Sequence, residues 1–304
     1  MTLNYLPDIL ETAEPQRLAT GFKFTEGPLW HPDGYWYFVD LRPNRLHRIR
    51  AGEKPELVRE TEGGNGTTFD LQGNLIHCEG EGRKVTRLYS DGRVEIVADR
   101  FMGGRFSRPN DVVCRSDGTL FFTDPDKRVP YREREIPPPE GVDNLWDGAS
   151  VYSVAPDGAI SRVAHCEYPN GLAFSPDERT LYVANTRSSK YIHALEIDAA
   201  GKLASRRIFA DMNEGNEPGI PDGLKVDSLG RVFCTGPGGI WVLTPYGQKI
   251  GTIRFPEQAV NFAFGDADMK TLFCCAYTSV YTLRVKVPGQ PHPWYKARQQ
   301  GRSR

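Results

Sequence analysis

The chain has 304 residues, of which 39% are hydrophobic and 25% are charged, a composition typical of a globular protein with a buried core. Its 38 Lys and Arg against 39 Asp and Glu give a formal net charge of -1, which leaves no basic surplus for a nucleic acid partner. The longest apolar runs, such as residues 35–39, are far shorter than the roughly 20 residues that cross a bilayer, so we expect no membrane partner.

Short strands bounded by Gly, Asp or Asn recur from one end of the chain to the other. The clearest are residues 36–39, 120–123, 181–184, 231–234 and 272–275, each rich in aromatic or β-branched side chains. The chain also contains 31 Gly and 23 Pro and no long apolar pattern of helical period. The sequence therefore predicts an all-β protein.

A turn of one kind precedes each of these strands and occurs six times in all. The six turns are residues 32–34, 71–73, 116–118, 176–178, 228–230 and 267–269. Eight residues before the third member of each turn stands an Asp, Asn or Glu: Glu26, Asn65, Asn110, Asn170, Asp222 and Asn261. A further 14 or 15 residues along, four of six positions are again acidic or amide: Asp40, Glu79, Asp124 and Asn185.

A fixed offset repeated in this way is the mark of a structural repeat. The anchors are separated by 39, 45, 60, 52 and 39 residues, close to the roughly 40–50 residues of a four-stranded propeller blade. We predict one six-bladed β-propeller domain over residues 1–304, with antiparallel blades and a core at about 15–287. Residues 16–20 have no partner of their own, and we expect them to add the strand that closes the last blade.

Two segments fall outside this repeat. Residues 125–148, which include a run of three prolines and Trp146, are too long for a blade connection and are expected to form a lid. Residues after about 289 read as a polar tail with little to bury. The six cysteines are scattered through strands, and we expect them to be reduced core residues of a cytoplasmic protein.

The innermost strands of a propeller line its central channel, so the six anchors should form a ring of oxygen donors. Asn and Asp also favour strand starts for local hydrogen bonding, but six at one repeat position exceed that explanation. Buried oxygens that include two carboxylates need a cation among them. Oxygen-only ligation predicts a hard cation, Ca²⁺, Mg²⁺ or Mn²⁺.

Four stretches, each on a different blade, resemble the gluconolactonase and regucalcin (senescence marker protein) family. They are residues 24–30, 108–111, 168–177 and 221–227, and the similarity extends from about residue 15 to 287. The resemblance implies a six-bladed propeller that hydrolyses sugar lactones with one divalent metal, commonly calcium or zinc and in some members iron.

The same resemblance assigns roles to individual residues. Glu26, Asn170 and Asp222 match the metal ligands, and Arg108 matches a residue that holds the substrate. Asn110 matches a position that contacts the metal or the substrate, sometimes through water, and we take it as substrate-binding. Among the matched positions, Asp222 is the carboxylate commonly given the role of general base, and we take it as the candidate catalytic residue.

Further pocket residues are expected at other strand ends. Asn65 belongs to the ring, and Asp124 and Arg42 lie near the ends of strands. Trp146 is added to this group because it falls in the predicted lid.

The expected reaction is the opening of a gluconolactone-like aldonolactone to the aldonic acid. In this hypothesis the metal polarises the lactone, Asp222 activates a water, and Arg108 and Asn110 hold the substrate. Two alternatives stay open: an esterase or organophosphate hydrolase on the same propeller, and a propeller that binds calcium without catalysis.

Overall fold

The protein is described by a computed structural model over residues 4–125, 149–187 and 189–302. Six four-stranded antiparallel sheets form the blades of a propeller around a central channel. The predicted all-β, six-bladed architecture is therefore confirmed. The predicted lid, residues 125–148 with Trp146, lies outside the described residues except for Pro125.

The strands follow the blades in chain order. Strand β1 (Gln16–Thr20) precedes the first blade, β2 (Thr25–His31), β3 (Tyr35–Asp40), β4 (Arg45–Ile49) and β5 (Glu56–Glu60). The second blade contains β6 (Gly64–Phe69), β7 (Leu75–Glu79), β8 (Lys84–Leu88) and β9 (Val94–Ala98), and a hairpin, β10 (Arg100–Phe101) and β11 (Gly104–Arg105), follows it. The third contains β12 (Val112–Cys114), β13 (Leu120–Asp124), β14 (Ser150–Val154) and β15 (Ile160–His165).

The remaining blades complete the ring. The fourth contains β16 (Pro169–Phe174), β17 (Thr180–Asn185), β18 (Tyr191–Ile197) and β19 (Leu203–Asp211). The fifth contains β20 (Leu224–Val226), β21 (Val232–Gly236), β22 (Gly239–Leu243) and β23 (Lys249–Ile253). The sixth contains β24 (Asn261–Gly265), β25 (Thr271–Ala276) and β26 (Ser279–Arg284), and helix α1 (Pro293–Arg302) follows it.

The ring is closed by the N-terminal strand, as predicted. Strand β1 pairs antiparallel with β26, in a register that sets Gln16 opposite Thr282 and Thr20 opposite Ser279. Each innermost strand contacts the innermost strand of the next blade, and β24 returns to contact β2. The last blade is thus built from both ends of the described chain, which leaves no gap in the ring.

The repeated turn owes its form to one backbone conformation. Its third residue has a positive φ in all six blades: Gly34, Gly73, Gly118, Glu178, Gly230 and Met269. Glycine adopts this left-handed conformation without steric cost, which explains its use at four of the six positions. The turn joins the two innermost strands of each blade, and so it fixes where the next strand starts.

The hydrophobic core lies between neighbouring blades. Between the sixth and first blades, Trp36 stacks on Phe273 with 4.8 Å between ring centroids, and Phe38 is fully buried beside them. Burial of such a side chain contributes about 1.5–3 kcal/mol. All six cysteines are buried and free, which confirms the expected core thiols.

The expectation that the C-terminal residues have little to bury is wrong. Helix α1 begins at Pro293, where the missing N–H costs nothing, and His292 Nδ1 accepts a hydrogen bond from Trp294 N at 3.1 Å. Tyr295 is buried and donates its hydroxyl to the Trp30 carbonyl oxygen. Trp294 packs against Phe69, with 4.7 Å between ring centroids.

The segment before the helix crosses the end of the channel near the repeated turns. Backbone hydrogen bonds join it to the fifth blade through Ser228 and Val226 and to the sixth through Met269. Residues 290–293 and Tyr295 line a cavity of about 140 Å³ at this end. We call residues 288–295 the C-terminal strap. In the described part of the chain, no helical segment has the length and hydropathy of a membrane span.

Candidate active site

Five of the six predicted ring residues meet in one cavity. Glu26, Asn65, Asn110, Asn170 and Asp222 line a space of about 630 Å³ at the end of the channel opposite the C-terminal strap. They belong to the first five blades and lie at or just before the start of the innermost strands. The arrangement follows from the repeat, since equivalent positions of successive blades face the same axis.

The sixth ring residue, Asn261, does not line this cavity. Its amide Nδ2 donates to Glu26 Oε2 at 2.9 Å, and its Oδ1 accepts a hydrogen bond from Phe262 N at 2.8 Å. Both ends of the amide are therefore engaged within the protein. Asn261 orients Glu26 instead of facing the cavity, and this departs from the symmetric ring expected from the sequence.

Glu26 is a buried carboxylate with one oxygen committed. Oε2 accepts hydrogen bonds from Gly27 N at 2.7 Å and from Asn261, while Oε1 has no hydrogen bond among the described residues. Burial raises the pKa of Glu26 to about 7, since the lost hydration outweighs these hydrogen bonds, and the charge of Asp111 adds to the rise. A cation beside Oε1 would favour the ionised form.

Asn170 is held so that its oxygen remains available. Its Nδ2 donates to Thr186 Oγ1 at 3.0 Å, and that hydroxyl donates in turn to the Pro221 carbonyl oxygen at 2.7 Å. The hydroxyl has a single proton, so its role as donor to Pro221 makes it the acceptor for Asn170. This chain fixes the orientation of the buried Asn170 amide and leaves Oδ1 as its acceptor atom.

Close backbone approach brings the neighbouring ring residues together. Asp222 O accepts a hydrogen bond from Gly171 N at 3.0 Å, and a Cβ atom on Gly171 would lie 2.1 Å from that oxygen. A Cβ on Gly27 would likewise lie 2.1 Å from Asn65 O. Only glycine allows these contacts, so the glycine after Glu26 and the glycine after Asn170 each leave room for the ring residue of the next blade.

The donor set fits a hard divalent cation. The five ring residues in the cavity supply two carboxylates and three carboxamides, and Asn65 Oδ1 is buried without a hydrogen-bond partner among the described residues. Within the described residues, no group of three or more His, Cys, Asp or Glu could hold a metal ion, so a cation here depends on the amide oxygens. Oxygen-only ligation of this kind suits Ca²⁺, Mg²⁺ or Mn²⁺.

A second charged layer lies deeper in the channel. Lys225 Nζ is 3.8 Å from Asp111 Oδ2, and burial raises the pKa of Asp111 although the Lys225 ammonium opposes this rise. The Asp111 carboxylate raises the pKa of Glu26, whereas the Lys225 ammonium lowers it. The sequence gives no indication of this layer, because a single Lys in a strand carries no recognisable signal.

Arg108 reaches the cavity from the loop before β12. Its side chain is about one-third exposed, and Nη2 lies 4.0 Å from Glu81 Oε1. Asp124 holds the loop, because its carboxylate accepts hydrogen bonds from Ser107 N at 2.8 Å and Arg108 N at 2.5 Å.

The position of Asp124 differs from the expectation of a pocket residue. Asp124 is not among the residues that line the cavity, because its carboxylate turns towards the Arg108 loop. Asp40, Glu79 and Asn185 hold the corresponding loops of their own blades through backbone N–H groups. The side chains at the second repeat position therefore fix the loops that precede the innermost strands.

The rim of the cavity contains further charged residues. Arg42, expected from its place at a strand end, lines the cavity together with Arg187 and Glu81, which were not expected. Arg187 stacks over the Tyr168 ring, with 4.5 Å from its guanidinium carbon to the ring centroid. These residues lie in turns, where the sequence repeat gives no indication of which way a side chain points.

Comparison with known proteins identifies the family. Residues 24–278 match the SMP-30/Gluconolactonase/LRE-like region. A gluconolactonase from Zymomonas mobilis is 29% identical over 93% of this chain and 85% of its own length. A pentonolactonase from Haloferax volcanii is 28% identical over 84% of this chain and 81% of its own. A solved structure of a gluconolactonase from Xanthomonas campestris has a TM-score of 0.81 and 33% identity, with 92% of both chains covered.

Proposed function

Since the chain belongs to the SMP-30/Gluconolactonase/LRE-like family, we propose that it hydrolyses sugar lactones with one divalent cation at the mouth of its channel. The observation that carries this proposal is the convergence of Glu26, Asn170 and Asp222 on one cavity. The relatives from Zymomonas, Haloferax and Xanthomonas are named as gluconolactonases or a pentonolactonase, which supports an aldonolactone as the substrate class.

Glu26, Asn170 and Asp222 would hold the cation, with Ca²⁺ favoured by the all-oxygen donor set. The open Oε1 of Glu26 and the oriented Oδ1 of Asn170 support this assignment. When bound, such a cation supplies Lewis-acid polarisation of an ester carbonyl and lowers the pKa of water at the site.

Asp222 is the proposed general base. Glu26 is fully buried and has one oxygen occupied by two donors, whereas Asp222 is half-buried at the cavity wall. In the reaction, water attacks the lactone carbonyl carbon and the ring C–O bond breaks. Asp222 takes the proton that the water loses, and the ring oxygen gains a proton to give the hydroxy acid.

Arg108 and Asn110 would hold the substrate. Both line the cavity, and each backbone is fixed by hydrogen bonds: Arg108 N to Asp124, and Asn110 N to the Thr123 carbonyl oxygen at 2.8 Å. A rigid backbone limits the positions that these side chains can take. Orientation of the lactone against the attacking water is the contribution expected of them.

The test is a lactone panel after metal removal. Protein stripped with a chelator should have no D-gluconolactone hydrolysis above the spontaneous rate. Ca²⁺, Zn²⁺, Mn²⁺, Mg²⁺ and Fe²⁺ are then added in separate assays, and the functional cation should restore hydrolysis. Asp222→Asn and Glu26→Gln should each lower kcat/KM by about 1000-fold or more. Asp157→Asn, in an exposed turn of the third blade, is the control and should change nothing.

Other outcomes would replace the proposal. Faster turnover of an aryl ester or a phosphotriester than of any lactone would identify a different hydrolase on this propeller. Calcium binding with no turnover of any of these substrates would identify a propeller that binds the ion without catalysis. Near-normal lactonase activity in Asp222→Asn would remove Asp222 as the base.

We further propose that the protein works in a reducing compartment such as the cytoplasm. All six cysteines are buried, unpaired thiols, and Cys274 and Cys275 are adjacent yet both free. Disulfides persist in oxidising compartments and are rare in the cytosol.

A further inference from the structure

We infer that the lactone hydrolysed at this site carries an anionic group, a carboxylate, phosphate or sulfonate, at the end remote from the reacting carbonyl. The inference rests on the proposed function and adds the class of substrate. It is drawn from three arginines, Arg42, Arg108 and Arg187, that line the same cavity as the proposed cation ligands.

The charges of the cavity do not balance once the cation is present. Among the described residues, its lining contains three arginines and three carboxylates, the latter being Glu26, Asp222 and Glu81. Three positive against three negative charges sum to zero, and a divalent cation then adds two positive charges. A neutral sugar lactone would leave this excess uncompensated, whereas an anionic lactone would reduce it.

Glu26 and the rim arginines Arg42 and Arg187 occupy different depths. Glu26 begins an innermost strand and is 2% exposed, whereas Arg42 and Arg187 lie in the turns after β3 and β17 and are exposed. A lactone bound at the floor near Glu26 would therefore direct its other end towards the arginines at the rim. This geometry places the anionic group away from the bond that breaks.

In the part of the chain that the structure describes, Arg42 and Arg187 have no carboxylate within ion-pairing distance. Among the described residues, the Arg42 side chain has no hydrogen bond or ion pair, and the Arg187 guanidinium makes only the stacking contact with Tyr168. Arg108 differs from them, because its Nη2 lies 4.0 Å from Glu81 Oε1, at the outer limit of an ion pair. By contrast, many arginines elsewhere on the surface pair closely with an acid, as Arg254 does with Glu217 at 2.6 Å.

Arg187 is held in place before any ligand binds. Its guanidinium lies over the buried Tyr168 ring, and its carbonyl oxygen accepts a hydrogen bond from Asn185 Nδ2 at 3.0 Å. An arginine fixed in this way loses less conformational freedom on binding an anion. Its planar group can also bind a carboxylate, phosphate or sulfonate through two hydrogen bonds.

The experiment compares lactones that differ in charge. D-Glucono-δ-lactone is the neutral probe, D-glucaro-1,4-lactone adds a carboxylate and 6-phospho-D-gluconolactone adds a phosphate. With the metal-loaded protein, kcat/KM should be about 10- to 100-fold higher for an anionic lactone than for the neutral one. Added salt should lower kcat/KM for the anionic lactone only.

The variants test which residues carry the preference. Arg42→Gln and Arg187→Gln should each lower the ratio of anionic to neutral kcat/KM by about 10-fold, and Arg42→Glu should lower it further. Arg162→Gln, on the exposed outer strand β15, is the matched control and should keep the ratio of the unaltered protein.

The possible failures are distinguishable. Hydrolysis of the neutral lactone with no preference for either anionic one would overturn the inference and keep the proposed function. A preference that both Arg→Gln variants retain would overturn the role of the rim. Absence of turnover for all three lactones with every metal would overturn the proposed function itself.

Discussion

Replacement of Asp124 by Ala should test whether Asp124 positions Arg108 in the candidate site. Asp124 is 6% exposed and accepts hydrogen bonds from Ser107 N and Arg108 N. Hydrogen bonds to a charged acceptor contribute about 1.5–3 kcal/mol each, and water can reach this half-buried loop in the variant. We therefore expect Asp124→Ala to lower the free energy of unfolding by about 2–4 kcal/mol.

The functional effect follows from the freedom that Arg108 gains. A shift of about 1 Å in a substrate-positioning group can cost about 100-fold in rate, so kcat/KM for the lactone should fall by about 10- to 100-fold. The measurement is steady-state hydrolysis well below the unfolding temperature, alongside thermal unfolding of the same sample. Asp124→Asn, which retains one acceptor oxygen, should lie between Ala and the unaltered protein.

Asp70→Ala is the matched control. Asp70 is 5% exposed and accepts two backbone hydrogen bonds, from Gln72 N and Asn74 N at 2.9 Å each, at the other end of the propeller. Its loss should cost at least as much stability and leave kcat/KM unchanged. Equal loss of activity in the two variants, or normal activity in Asp124→Ala, would refute the positioning role.

Three further predictions concern the fold and its pH dependence. Burial raises the pKa of Glu79, but its hydrogen bond with Arg59 and further polar contacts lower it to about 2, below the ordinary value of 4.5. The ionised Glu79 therefore contributes about 3 kcal/mol to the free energy of unfolding above pH ~4.5, and this contribution is lost as the pH falls towards 2. In urea unfolding, Glu79→Gln should be less stable than the unaltered protein at pH 7, and the difference should shrink in acid. Gly171→Ala should weaken calcium binding more than 10-fold in calorimetric titration, because its Cβ would displace the Asp222 backbone, and unchanged affinity would contradict this close approach. Tyr295→Phe should cost about 1–2 kcal/mol in urea unfolding by leaving the Trp30 carbonyl oxygen without its donor, whereas no loss would show that the strap adds little to stability.

The propeller and most of its central ring could be predicted because both follow from a repeat. The same turn needs a left-handed residue at the same place in every blade, and the channel residue stands eight positions earlier each time. Glu26, Asn65, Asn110, Asn170 and Asp222 share a cavity for that reason. The roles that the family resemblance gave to individual members of this set stay predictions.

What could not be predicted depends on contacts that no repeat encodes. Asn261 faces Glu26 because a carboxylate lies within hydrogen-bonding distance, and the orientation of Asn170 depends on Thr186, 16 residues away. The C-terminal residues looked polar because Trp294 and Tyr295 stand among charged neighbours. Only the surface offered by the first two blades turns these two aromatic residues into an anchor for helix α1.

The C-terminal strap also affects which junction between blades opens first when the propeller unfolds. A closed circle of blades unfolds by separating at one junction, and the junction between the sixth and first blades is where the chain ends meet. Strand β1 joins these blades on the outside, and the strap joins them again across the channel through Met269 and Trp30. These two connections slow the separation of the sixth blade from the first. Hydrogen exchange should therefore be slower in β24 and β26 than in the middle blades, and heating should open the ring first at another junction.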